Sequence, residues 1–261
     1  MDTNNANTNQ NNSRIIKEKI LVYGITGLVG SQIGQKLRSR FKIIAPTHRQ
    51  LDLTNTKKVL EHLNDVKPDQ IVYAAGLTKI DEAEKYPDSS DLLNFKVVAT
   101  IAKEAIKLRI PVHYISTDAV FDGTKKGRLY KESDKPKPLS IYGKSKLKGE
   151  KIVLSSSKNN SVIRTIMVYS SNYAYKSDFV RLAYQKLKNK KGLEGIEDQT
   201  INPTFVNDLV FAISLILKNH AKGIYHVAAK DFTTNYLFLK KIAEVFKFDS
   251  SLITKVKFKD F

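Results

Sequence analysis

The stretch KILVYGITGLVG, Lys19 to Gly30, decides how this chain folds. Its first five residues carry three large aliphatic side chains and a tyrosine, which reads as a buried strand. Glycines at 24, 27 and 30 follow without a gap, and a helical pattern runs from Leu28 to Arg40. A strand that passes through a glycine turn into a helix brings backbone N–H groups and the positive helix end to one point, where a phosphate can lie. The spacing is G-x-x-G-x-x-G rather than G-x-G-x-x-G, but the physics is the same: tight turning and close backbone approach. Gly24, Thr26, Gly27, Leu28, Val29 and Gly30 are therefore expected to hold the pyrophosphate of a dinucleotide.

The same grammar continues outward from this turn. FKIIA (Phe41 to Ala45), QIVYAAG (Gln70 to Gly76), PVHYIST (Pro111 to Thr117) and SVIRTIMVY (Ser161 to Tyr169) read as further strands. Helical segments such as Asp91 to Arg109 separate them. Nearly continuous apolar strands with long crossovers predict an α/β fold of the Rossmann type, a doubly wound parallel sheet with helices on both faces. After Tyr169 the rhythm loosens into helices at about 178–190, 206–218 and 234–246 with a short strand at GIYHVA. The expected organisation is an Asn-rich tail without fixed structure (1–17), a dinucleotide-binding domain (18–169) and a small substrate lobe (170–261) interleaved with it.

In open parallel sheets ligands bind outside the carboxyl ends of the strands, so candidate groups are sought there. The second strand ends in PTHR, with His48 and Arg49 and no acid to accept from a ribose 2′-hydroxyl. Cations at that place suit a 2′-phosphate, which favours NADPH and leaves NADH as the weaker alternative. Asp52 and Leu53 follow, with Asp52 placed to meet the adenine or to cap the next helix. After the third strand, Ala74, Ala75, Gly76 and Thr78 keep side chains small where a dinucleotide would pass.

Composition narrows the function classes. The 261 residues include no cysteine, which rules out disulfides and thiolate metal sites and makes the cytoplasm the expected compartment. No apolar run is long enough to span a bilayer, and no secretory signal opens the chain. The net charge of +18 is spread over nearly every predicted helix, as in KLKNKK (Lys186 to Lys191), which counts against nucleic acid as the partner. Asp81 to Glu84, flanked by lysines, reads as a solvated face, and His113 and His226 read as packed within strands.

Thr117 ends the fourth strand, at the same rim as Gly24. Tyr142 and Lys146, four apart on a predicted helix, share one face. A nearby ammonium favours phenolate, so this pair is expected to bring the phenol down toward working pH and make it a general acid or base.

Taken together, GITGLVG, STDAVFDG, YGKSKLKGE, DQTINPTFVNDL and GIYHVA resemble the extended short-chain dehydrogenase/reductase superfamily, and within it the dTDP-4-dehydrorhamnose reductase family. The resemblance runs from about Lys19 to Phe246. It implies an NADPH-dependent oxidoreductase acting on a 4-keto nucleotide sugar, with Thr117, Tyr142 and Lys146 as the catalytic Ser/Thr, Tyr and Lys, and with Asn94 near the cofactor. For such a mechanism the substrate is expected near Thr117, Asp118, Asn202 and Thr204, with Arg181 or Lys176 on its diphosphate; a homodimer is left open. Ala119, Met167, Ser170 and Ile201 depart from the family pattern around the sugar pocket. Two other readings stand beside the reductase: an epimerase or dehydratase of the same superfamily, and a cofactor-binding regulatory subunit without turnover.

Overall fold

The computed structural model describes residues 17–125, 129–171 and 178–260; the Asn-rich tail through residue 16 lies outside them. The chain opens with β1 (Lys19–Tyr23), α1 (Leu28–Lys36), β2 (Lys42–Ile44), α2 (Thr56–Val66) and β3 (Gln70–Tyr73). Two short helices, α3 (Ile80–Lys85) and α4 (Pro87–Asp91), lead through one π turn (Leu92–Lys96) into α5 (Val97–Leu108). Then come β4 (Val112–Thr117), α6 (Ile141–Ser156), β5 (Ser161–Thr165), β6 (Val168–Tyr169) and α7 (Phe179–Lys188). The last stretch holds β7 (Leu193–Ile196), β8 (Thr200–Ile201), β9 (Thr204–Phe205), α8 (Val206–Lys218), β10 (Gly223–His226), β11 (Thr233–Thr234), α9 (Asn235–Phe246) and β12 (Ile253–Val256).

Six strands form one parallel sheet in the order β10-β5-β4-β3-β1-β2. Side chains alternate along β1, as a strand buried on both faces requires. Leu21 and Tyr23 join Leu63 of α2, Ile101 of α5 and Val153 of α6 on one face. Ile20 and Val22 meet Ile33 of α1 and Leu209 and Ile213 of α8 on the other. A third cluster, built from Leu187, Leu239, Ile242 and Ile253, holds α7, α9 and β12 together apart from the sheet. The C-terminal third is thus divided, because α8 covers the main sheet and β10 extends it beside β5.

Several expected elements differ in extent, two of them for a clear physical reason. The helix after the glycine turn stops at Lys36, because Leu37 to Phe41 close a turn that sinks Phe41 into the core. The expected strand 161–169 is two strands: Met167 sits at φ 40°, a left-handed conformation that no strand continues through, and β6 leaves the main sheet to pair with β9. No described helix is long and apolar enough to cross a membrane.

Candidate functional site

Because all six strands run the same way, their carboxyl ends share one rim, and the chain order switches direction between β1 and β3. Gly24 lies at that switch. It takes φ 93°, and a Cβ there would stand 2.5 Å from the backbone nitrogen of Ala75, so neither the conformation nor the contact admits a side chain. α1 begins at Gly27 with no side chain capping it, which leaves the first-turn N–H groups of Leu28, Val29 and Gly30 directed toward the rim. Ala74, Ala75 and Gly76 run past the end of β3 beside this turn, and Thr78 beyond them is exposed. A narrow cradle built on glycine and alanine against an open helix N-terminus fits a dinucleotide pyrophosphate.

The loop after β2 is shaped by Gln50, whose Oε1 accepts from Thr47 N and Thr47 Oγ1, both at 2.9 Å. That turn leaves His48 and Arg49 exposed. Asp52 neither caps α2 nor turns inward. Its Oδ1 accepts from Thr54 N at 2.9 Å and from Thr54 Oγ1 at 2.8 Å, which holds its carboxyl below the usual range; Asn55 takes the cap of α2 by accepting from Lys58 N. Leu53 packs against the core face that includes Leu63.

Further along the rim, α6 carries Tyr142 to the end of β4. Gly143 makes this approach possible: a Cβ there would meet Ala119 O at 2.1 Å. Ser140 caps the helix by accepting from Gly143 N at 3.0 Å, and Glu84 of α3 accepts from Ile141 N at 2.7 Å. Tyr142 is 8% exposed and Thr117 7% exposed, and the threonine hydroxyl is close enough to act on the phenol. Burial pushes the Tyr142 phenol up to about 12; the Thr117 hydroxyl pulls it down and the Asp118 charge pushes it further up. Thr117 Oγ1 also donates to Asp118 Oδ1 at 3.1 Å and accepts from Ala119 N at 3.2 Å. Asp118 has surface open to solvent, yet its carboxyl sits deep enough between protein walls that lost hydration pushes it up to about 6.

Lys146 is only 3% exposed. Its Nζ donates to Ile115 O at 2.6 Å and lies 3.9 Å from the centroid of the Tyr114 ring. Burial pushes its ammonium down to about 7, and Glu150 opposes that. The expected lowering of the phenol by Lys146 is therefore absent: the ammonium is engaged by a strand carbonyl and an aromatic face, and desolvation governs Tyr142 instead.

Asn94 is fully buried in the π turn behind this rim. Its Nδ2 donates to Leu77 O at 3.0 Å, Ser145 Oγ at 3.0 Å and Ser90 Oγ at 3.3 Å, so it ties the segment after β3 to α4 and α6. The turn itself is pinned by two strand tyrosines, Tyr73 OH to Leu93 O at 2.8 Å and Tyr114 OH to Asn94 O at 2.7 Å. Neither this pinning nor the Glu84 cap is visible in the sequence, where Glu84 reads as part of a solvated DEAE run. Both depend on contacts between segments far apart in the chain. Of the two strand histidines, His113 bridges Ser161 Oγ (2.7 Å) and Gln70 Oε1 (2.8 Å) on the flanking strands, away from the rim.

On the lobe side the candidates are already engaged within the protein. Asn202 Nδ2 donates to Asp231 O at 2.9 Å and Ala229 O at 3.3 Å. Thr204 is 2% exposed and bonds Asn202 O at 3.3 Å. Arg181 stands in the first turn of α7, 3.9 Å from Asp178, the residue that caps this helix. Lys176 lies outside the described residues. Tyr169 packs against Phe205 and Phe238 at 5.5 and 5.9 Å between ring centroids.

Comparison with known proteins places this rim in context. The RmlD substrate binding domain family matches residues 18–261. A dTDP-4-dehydrorhamnose reductase of Aggregatibacter actinomycetemcomitans is 32% identical over 246 residues, covering 91% of this chain and 81% of the relative. The methionine adenosyltransferase 2 subunit beta of Bos taurus is 30% identical over 251 residues, covering 91% and 75%. The crystal structure of dTDP-4-dehydrorhamnose reductase from Bacillus anthracis in complex with NADP is similar with a TM-score of 0.88 at 28% identity, over 94% of this chain and 86% of that one.

Proposed function

The chain belongs to the RmlD substrate binding domain family, and from that premise we propose that it is an NADPH-dependent reductase of a 4-keto nucleotide sugar, of the dTDP-4-dehydrorhamnose type. The observation that carries the reading is the buried pair of Tyr142 and Thr117 at the carboxyl rim, on the same edge as the Gly24 turn. A proton donor and a dinucleotide cradle in one cleft are what a carbonyl reduction needs.

The residues divide the work as follows. Gly24 to Gly30 and the N-terminus of α1 hold the pyrophosphate, and His48 and Arg49 hold the 2′-phosphate. When bound, NADPH supplies a hydride to the keto carbon. Thr117 would turn its one hydroxyl proton from Asp118 to the carbonyl oxygen and so orient it. Tyr142, protonated at neutral pH with a phenol at about 12, gives its proton to that oxygen as negative charge develops on it. Lys146, anchored by its bond to Ile115 O, would offer its remaining ammonium donors to the nicotinamide ribose. Asn94 acts through others: it fixes the segment after β3 and the back of α6.

The test is direct. Purified protein with NADPH and dTDP-4-dehydrorhamnose is expected to lose reduced-nicotinamide absorbance in step with ketone consumed. Isomerised sugar without net NADPH loss would replace the reductase with an epimerase. A second reading, a cofactor-binding subunit without turnover, is favoured by the 30% identity to the methionine adenosyltransferase subunit. Tight NADPH binding with no turnover of any 4-keto nucleotide sugar would select it.

A further inference from the structure

Tyr142, Lys146 and Glu150 succeed one another at intervals of four on α6, so all three lie along the face that packs on β4 and β5. Glu150 is 1% exposed and Arg164 of β5 is 4% exposed. Their ion pair is bidentate: Arg164 Nε donates to Glu150 Oε1 at 2.9 Å, and its terminal nitrogen donates to Oε2 at 2.7 Å. Ser116 Oγ, from the residue before Thr117, donates to the same Oε1 at 2.6 Å. Arg164 is held in turn by His226 of β10 at 3.3 Å and by the face of Phe121 at 5.1 Å. The proposed reaction uses Tyr142 and Lys146 but none of Glu150, Ser116, Arg164 and His226.

We propose that Glu150 is a positioning residue of this site: its carboxylate, clamped by Ser116 and Arg164, favours the charged form of the neighbouring Lys146 and with it the full set of ammonium donors offered to bound cofactor.

The reason is electrostatic. Without Glu150 the face would bury two cations, Lys146 and Arg164, with no anion between them. In a dry interior such a pair is relieved by loss of a proton, and lysine loses it far more readily than arginine. The other groups facing Lys146 cannot take over. From β4 come Tyr114, whose phenol burial keeps neutral, and the carbonyl of Ile115. Tyr142 on the same helix is neutral at working pH. From β5 comes only Arg164, backed by His226 of β10. Asp118, in the turn after β4, interacts with Tyr142 and Thr117. Asp91 of α4 is held by Lys148 and Lys96 on the outer side of α6. Among these, Glu150 is the charge that raises Lys146 against its desolvation.

The inference rests on the reading of Lys146 as a cofactor-binding group, and the experiment separates the two. In ligand-free protein carrying 13C-labelled lysine, the Lys146 side-chain resonance, assigned by its absence in Lys146→Met, is titrated by NMR; kcat/KM with NADPH is followed over the same pH range. In Glu150→Gln the Lys146 titration is expected to fall by about one pH unit or more, and the alkaline limb of kcat/KM to fall with it. Glu150→Asp, which keeps the charge, is expected to restore most of both. If Glu150→Gln fails to fold, Glu150→Gln with Arg164→Met removes the unpaired cation as well, and a downward shift is still expected because Glu150, and not Arg164, acts on the Lys146 ammonium. Wild-type titration of Lys146 in any folded variant without the carboxylate overturns the proposal. A lowered titration with an unmoved alkaline limb upholds the role of Glu150 and instead refutes that of Lys146 in the reaction.

Discussion

Tyr142→Phe removes one oxygen from the rim and leaves the ring that α6 packs against β4. The cost to folding is small, because Thr117 Oγ1 keeps Asp118 and the Ala119 amide as partners; one lost hydrogen bond is worth about 1 kcal/mol. The cost to chemistry is large. With its phenol at about 12, Tyr142 is protonated at pH 7 in all but about one molecule in 100,000, so it is poised as an acid and not as a base. Positioned proton transfer contributes on the order of 100- to 10,000-fold, or roughly 3 to 5 kcal/mol of barrier. The variant is therefore expected to lose at least about 100-fold in kcat with a 4-keto nucleotide sugar. NADPH affinity, read by quenching of cofactor fluorescence, should stay within about threefold, since no cradle residue is touched. The reverse oxidation needs phenolate, and in wild type its rate should climb about tenfold per pH unit until Lys146 begins to lose its proton at about 7. A kcat within tenfold of wild type would refute the assignment of Tyr142 as the acid.

Arg49→Ala should weaken NADPH by about tenfold and NADH hardly at all, because the proposed partner of the exposed guanidinium is the 2′-phosphate; equal weakening of both in paired titrations would remove that contact. Gly143→Ala should push α6 away from the rim, since its Cβ would lie 2.1 Å from Ala119 O, and backbone cannot yield as a side-chain tip can. Unfolding in urea should show a loss of about 2 to 3 kcal/mol and activity should fall further than stability; a variant as stable and active as wild type would contradict the packing. Burial pushes His113 down to about 4, below its ordinary 6.5, so between those values the unfolded chain binds a proton that the native state refuses. Stability from this group is complete above pH 6.5 and declines as pH falls toward 4, by about 3 kcal/mol in all. Urea unfolding of wild type and His113→Gln across that window should diverge by this slope, and parallel curves would sink it.

The parallel α/β architecture was legible from local pattern. Strands buried on both faces must be apolar throughout, a glycine turn must admit close backbone approach, and residues four apart must share a helix face. Those three rules placed β1, β3, β4, the Gly24 turn and the Tyr142–Lys146 pair from sequence alone. They also placed α8 at Val206–Lys218 to the residue. They failed where a long-range contact outvoted the local pattern. Met167 lies inside a run of strand-forming residues, yet the pairing of β6 with β9 turns the chain there. GIYHVA has strand character wherever it lies, and only packing puts it at the edge of the main sheet.

The site divides along the same line. Residue identities and their spacing determined which groups are available: glycines for a phosphate cradle, a hydroxyl at a strand end, a phenol and an ammonium on one helix face. Tertiary structure decided what state those groups are in. Desolvation depends on everything packed around an atom, so the phenol rises instead of falling, and the ammonium turns to Ile115 O and Tyr114. Charge balance likewise depends on distant partners, and the clamp of Arg164 and Ser116 on Glu150 joins two strands to a helix that no local rule connects. Periodicity reports which side of an element faces inward; the field inside is a sum over the whole fold.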